Sequence, residues 1–435
     1  MRNSPPSDPS REAASTTVAT VVDNLFRRES GRLVAILTRR FGPQHLHLAE
    51  DVVQDALGKA MEAWPFTGVP ANPTAWILQT ARNRALDQAR RSRLWEGKQA
   101  LLLPLVEDCI DSAAHAGGPQ FEDEIEDSQL RMMFVCCHPG LPQDAQVALT
   151  LRVLCGFGER EVAAAFLASE AAVAKRLTRA RQFLREAGVT TDLPSSGELG
   201  PRLAAVQQVL YLLFNEGYKA SGGPTLLREE LCADAIRLAE LLAEQPFADQ
   251  PDTHALLALM YFNAARLASR TDEGGLILTL ARQDRGKWDR EKIRLGISHL
   301  AVSGNGTDVG RYHLEAGIAA SHTLAPSDAE TDWPQILGLY DDLLAHDASP
   351  LVALNRAVAL AKVEGADAGL RAIGAMAGRE TLENYHLLHA VTGHLWLEAG
   401  DRERAFSSFR RARELATLQI EKEHLSRRMQ ESQEP

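Results

Sequence analysis

The chain holds 435 residues, 45% hydrophobic and only 6% aromatic, with a formal net charge of -11. That length is too great for one compact core and predicts two or three domains. Abundant Ala and Leu with few β-branched runs exclude a sheet-dominated protein and predict an all-α fold, while no apolar run reaches the roughly 18 to 20 residues that would span a bilayer.

The negative charge is unevenly placed. Residues 1–190 carry 22 Lys+Arg against 23 Asp+Glu, leaving 25 against 35 for residues 191–435. Residues 1–17 are rich in Ser, Pro and Thr, lack the apolar centre of an export signal, and are expected to be disordered. A first helical block is predicted over 18–100, an acidic linker over 101–129, a second helical block over 130–190 and a helical extension over 199–430. Five cysteines (Cys109, Cys136, Cys137, Cys155, Cys232) form no C-x-x-C pair, which fits a reducing compartment, so a cytoplasmic protein without membrane contact is expected.

In the first block, HLAEDVVQDALGKAMEAW places Ala49, Val52, Val53, Ala56, Leu57, Ala60 and Trp64 on one helical stripe. The opposite face bears Asp51, Gln54 and Asp55. The two aspartates stand one turn apart, a like-charge pair that costs an isolated helix about 0.2–0.5 kcal/mol; a basic partner would relieve it, and simple solvation would tolerate it. After the turn-rich PFTGVPANP, Asn72 as N-cap and Pro73 at the first helical position start a second helix. Along TAWILQTARNRALDQARRSR, Ile77, Leu78, Ala81, Ala85 and Ala89 face inward, and Arg82, Arg84, Arg90, Arg91 and Arg93 crowd the remaining face. Such a face is either solvated or the footprint of a phosphate backbone. Trp64 and Phe66 offer rings on which an unpaired base could stack, with core packing the competing role for Trp64.

The second block reads helix, turn, helix, turn, helix from Leu141. Its third helix buries Val173, Leu177, Ala180 and Leu184 at 4-3-4 spacing and exposes Lys175, Arg176, Arg179, Arg181 and Arg185, the pattern of a recognition helix in a major groove. Cys136-Cys137-His138 just upstream lacks the spacing of a tetrahedral zinc site, so no metal is expected.

The order AEDVVQDAL, then NPTAWILQTARNRALDQARR, then EREVAAAFLASEAAVAKRLTRARQFLR resembles regions two and four of the extracytoplasmic-function sigma factors. The resemblance implies that Asp51, Gln54 and Asp55 contact core RNA polymerase. It further implies that Trp64, Phe66, Arg82, Asn83, Asp87, Arg90 and Arg91 meet and open the minus-ten promoter DNA, and that Lys175, Arg176, Arg179 and Arg181 read the minus-thirty-five element. It also implies that the acidic linker threads toward the polymerase channel. The competing class is a helix-turn-helix regulator with a helical sensor domain that acts without replacing sigma.

In the extension, HLLHAVTGHLWLEAGDRERAFSSFRRARELA sets Gly393, Trp396, Gly400, Ala405, Phe409 and Ala412 at the small and large positions of a tetratricopeptide helix pair. One weaker copy lies at Leu354–Leu370, and upstream the pattern dissolves. A single repeat cannot bury its own apolar face, so a continuous helical array is expected. YLLFNEGYKASGG, QDRGKWDR and HTLAPSDAETDWPQI form polar and aromatic clusters within it. Glu216, Asp284, Asp289, His322 and Asp332 in these strings show no catalytic or cofactor spacing, so neither an enzyme nor a cofactor is expected. The extension resembles the tetratricopeptide-like domain fused to one subgroup of these sigma factors. By that resemblance the fused domain regulates the chain; the acidic extension is expected either to pack against the basic regions two and four or to position them on polymerase.

Overall fold

A computed structural model describes residues 29–39, 41–96, 129–187, 189, 196–222, 226–272, 274, 276–306 and 308–433. The expected disordered residues 1–17 and all of the expected linker but Gln129 lie outside the described residues. Among the described residues the regular structure is helical, apart from one isolated bridge between Thr271 and Ile277. No helix among them is long and apolar enough to cross a membrane. The chain divides into two compact units, Met1–Leu213 and Phe214–Pro435.

In the first unit, α1 covers residues 29–39, α2 Leu46–Thr67 and α3 Pro73–Glu96. Each residue of the predicted α2 stripe, from Ala49 through Trp64, is buried, so hydrophobic burial alone fixes the rotation of that helix. Gly68 ends it at a positive φ of 79°, and the Asn72 side chain accepts the Ala75 N–H at 2.9 Å to start α3. Helix α4 follows at residues 129–136, then α5 (Gln143–Leu154), α6 (Glu159–Ala165) and α7 (Glu170–Glu186). The Glu161 side chain accepts the Gly158 N–H at 2.6 Å, and Ser169 caps α7 through the Ala172 N–H. Between α6 and α7 the chain turns through Leu167, at φ 49°.

The two helical blocks of this unit share one interface. Helix α1 runs so close to the end of α5 that a Cβ on Gly31 would lie 1.8 Å from the Leu154 carbonyl oxygen. The Gln129 side chain donates to that same carbonyl at 3.0 Å. Cys136 and Cys137 are buried in the second block, with the Cys137 sulfur 3.6 Å from the Thr150 hydroxyl. Burial pushes both thiols up, that of Cys137 to about 12, with the Glu50 carboxylate adding to the effect at Cys136. His138 Nδ1 accepts the Gly140 N–H at 3.0 Å. Helix α8 (Ser196–Tyr218) then joins the units. Within the first of them, its Arg202 donates to the Phe134 carbonyl at 2.8 Å and its Gln208 accepts from Gln143 at 3.0 Å.

The second unit continues through α9 (Glu229–Ala243), α10 (Pro251–Ala264), α11 (Arg290–Ser303), α12 (Arg311–Leu324) and α13 (Trp333–His346). It closes with α14 (Pro350–Glu364), α15 (Ala366–Gly374), α16 (His386–Glu398), α17 (Arg402–Leu415) and α18 (Gln419–Gln433). Consecutive helices pack in chain order from α9 to α18. The repeat chemistry operates at α16 and α17: Gly393 leaves room for Phe409, whose ring carbons would lie 2.9 Å from a Cβ there, and Ala405, Phe409 and Ala412 are buried. Gly369 does the same between α14 and α15, where a Cβ would lie 2.8 Å from the Ala357 carbonyl oxygen, while Gly365 makes the turn between these helices at a positive φ of 93°.

Candidate nucleic-acid and polymerase interfaces

On α2 outside the stripe, Asp51, Gln54 and Asp55 are all exposed. They form an uncapped acidic ridge available to a basic surface. At the end of the same helix the two candidate rings part company. Trp64 is 1% exposed and packs edge-on against Trp76 with centroids 5.4 Å apart, so as folded it is a core residue and offers no stacking face. Phe66 is 80% exposed and sits just before the loop to α3.

Beside that loop, α2 and α3 frame a cavity of about 340 Å³ lined by Lys59, Glu62, Ala63, Trp76, Thr80 and Asn83. Asn83 is exposed and its side-chain carbonyl accepts from Gln79 at 3.2 Å, leaving its amide N–H groups toward solvent chemistry. Arg82 is half-buried and donates to Gln79 at 3.4 Å, while Asp87 is exposed. Arg90 and Arg91 lie on α3, but their side chains are outside the described set. Trp76, Thr80 and Asn83 stand at i, i+4 and i+7 on one helical face. That periodicity could have identified the cavity wall, which the sequence reading missed.

In the second block α7 buries Val173, Leu177, Ala180 and Leu184 as predicted, but its cations are not equivalent. Lys175 and Arg179 are exposed and make no ion pair among the described residues. Arg176, expected to be exposed, is instead half-buried: it lies 3.5 Å from Asp144 and its guanidinium sits 5.2 Å over the Phe166 ring. Arg181 is also half-buried, because its Nη2 donates to Glu50 on α2 at 2.9 Å. Glu50 is 8% exposed. Its role went unseen because the partner is 131 residues away and no local pattern marks it.

The sequence comparisons meet this geometry. The model of Sigma-70 region 2 matches residues 25–94 and that of Sigma-70, region 4 matches 131–184, the stretches containing α1–α3 and α4–α7. The chain belongs to the extracytoplasmic-function sigma factors. A family of unknown function (DUF6596) matches residues 202–304 of its C-terminal extension. An uncharacterized protein of Rhizobium meliloti (strain 1021) is 37% identical over 380 residues, covering 86% of this chain and 87% of its own. No solved structure matches. As a sigma factor the chain carries a DNA-binding helix-turn-helix, α5–α7, and belongs to a family of initiation factors and not of enzymes.

The polar clusters of the extension resolve differently. The Asp284 side chain accepts the Gly286 N–H, Asp289 caps α11, and Asp332 caps α13. Glu216 accepts from Arg228 and from the Ser221 N–H, both at 3.1 Å. All four carboxylates therefore serve backbone, guanidinium or, for Asp289 with Lys292, ammonium partners within the fold. His322 is considered below.

Proposed function

We propose that the chain binds core RNA polymerase and directs promoter-specific initiation. Asp51, Gln54 and Asp55 on the exposed ridge of α2 are assigned to the polymerase. Phe66, Arg82, Asn83, Asp87, Arg90 and Arg91 are assigned to the minus-ten element, and Lys175, Arg176, Arg179 and Arg181 to the minus-thirty-five element. The observation that carries this reading is the cavity between α2 and α3. Its volume lies in the range of small-molecule sites, Asn83 supplies amide groups for a base edge, and the exposed Phe66 ring, on the helix that forms one wall, offers a stacking face. A repressor that reads duplex alone has no use for a receptacle for an unpaired base.

Of the four α7 cations assigned to the minus-thirty-five element, Arg176 and Arg181 are engaged within the protein. Promoter binding on this reading exchanges those partners for phosphate or guanine, and α7 must leave Glu50 to do so. The acidic extension is assigned a regulatory role over these modules. The deciding experiment mixes the purified chain with core polymerase lacking its own sigma and a promoter library. Initiation at defined start sites supports the reading; duplex binding without polymerase association favours a helix-turn-helix regulator instead.

A further inference from the structure

The three strings that the promoter reading leaves aside converge in the second unit. With Asp284, Asp289 and Asp332 engaged in caps and Glu216 held by Arg228, the charged groups that remain near one another there include Arg266, Arg270 and Arg285. Arg266 donates to the Tyr218 hydroxyl at 2.8 Å and to Asn263 at 2.7 Å, and the Arg270 guanidinium lies 3.7 Å over the same tyrosine ring. Arg285 donates to the carbonyls of His322 and Ala325 at 2.7 and 2.9 Å, and its guanidinium lies 4.6 Å over Trp288. The His322 ring meets Trp333 edge-on at 5.2 Å. Burial, with the charges of Arg266 and Arg285 adding to it, lowers His322 to about 4, so the imidazole is neutral near pH 7.

This concentration of like charge sits in the acidic half of the chain, yet Arg266, Arg270 and Arg285 form no ion pair among the described residues; Asp328 reaches Arg285 only as a more distant charge. Buried donors are also left over. Arg266 Nε, Arg285 Nη2 and Trp288 Nε1 are buried without a hydrogen-bond partner among the described residues, and so is His322 Nδ1. Buried N–H groups are paired in the great majority of folds, and Arg266 and Arg285, each half-buried, have no counter-charge within ion-pair distance among the described residues. One ligand class answers both deficits, an oxyanion with several acceptor oxygens and more than one negative charge.

We propose that Arg266, Arg285, Trp288 and His322 form a binding site for the phosphate group of a small molecule. Phosphate fits better than carboxylate because the unpaired atoms come from three separate segments: the turn after α10, the 3-10 turn Arg285–Lys287 with the Trp288 that ends it, and α12. A tetrahedral oxyanion accepts from several directions, whereas a carboxylate presents a planar fork. The site is independent of the promoter reading and stands or falls separately from it.

Calorimetric titration of the full chain tests this with sodium phosphate, glycerol 3-phosphate and, at matched ionic strength, sodium chloride. Saturable binding of at least one phosphate and none of chloride is expected, and the tighter of the two tells a free anion from an ester. Arg266→Gln and Arg285→Gln each remove a charged donor and are expected to weaken binding about tenfold or more. Trp288→Phe keeps the ring and drops one N–H, for a loss of about threefold to tenfold with unchanged helicity and melting temperature. If Arg285→Gln disturbs the end of α12, whose carbonyls it holds, Arg266→Gln and Trp288→Phe still decide. Failure of both phosphates to bind overturns the proposal, as does wild-type affinity in these variants.

Discussion

Single side chains decide how much of the recognition surface is available. Glu50→Gln removes the charge that holds Arg181, and the hydrogen bond it weakens is worth about 1 kcal/mol of stability. The same change releases a cation on α7, so duplex affinity by fluorescence anisotropy is expected to rise about threefold or more. Unaltered affinity would mean that Arg181 does not meet DNA. Lys175→Ala and Arg179→Ala should each weaken binding and lower the salt slope of the logarithmic affinity by about one. In the second unit, Glu421 is buried, which by itself raises its carboxyl, but hydrogen bonds and charge from His386 and Lys219 outweigh this and hold it at about 2. A depressed carboxyl contributes stability above its unfolded value and loses it as pH falls toward the folded one. Melting curves should therefore show about 2 to 3 kcal/mol disappearing between roughly pH 4.5 and 2, and Glu421→Gln should flatten that limb. The stripe residues were legible because burial follows helical periodicity; the Glu50 and Glu421 partnerships were not, since each links residues distant in sequence.

Helices carry the next level of argument. Gly31 touches backbone, and a methyl group at 1.8 Å from the Leu154 carbonyl cannot be absorbed by a side-chain rotation. Gly31→Ala should force α1 from α5, costing about 1 to 3 kcal/mol by thermal melting, and should raise duplex affinity by the same release as Glu50→Gln. A null effect on both would refute the close approach. Helix α8 also belongs partly to the DNA-binding unit, through Arg202 and Gln208. A chain ending at residue 195 is thus expected to melt at a lower temperature than one ending at 213, although both lack the second unit. The helix-turn-helix and the last repeat pair were readable from spacing and from small residues such as Gly393. Helices α9 to α13 pack as continuously as the rest, and Gly296 leaves room for the Phe262 ring as Gly393 does for Phe409, but that pair recurs at no fixed spacing and so left no repeat signature.

At the level of the whole molecule, the two promoter elements lie roughly 25 base pairs apart by their names, about 85 Å of duplex at 3.4 Å per pair. A compact body of the size of the first unit has a radius of gyration of about 17 Å, so it is roughly 45 Å across. One face of α2 and the recognition helix cannot reach both elements while Glu50 and Arg181 stay joined. Fluorophores at Met61 and Glu186, both exposed, should therefore lose energy transfer when polymerase and promoter are added together. Which part of the sequence carries the DNA-binding motif was legible from charge and motif order; that the two helical blocks of the first unit meet was not, because a contact between residues distant in sequence leaves no periodic trace. The buried thiols supply an internal clock for this separation. Cys136 is protonated and shielded within reach of the Glu50 charge, and only the thiolate alkylates readily. The rate at which iodoacetamide labels Cys136, followed by mass spectrometry, would then count the openings of the unlabelled protein itself, without a dye or a mutation.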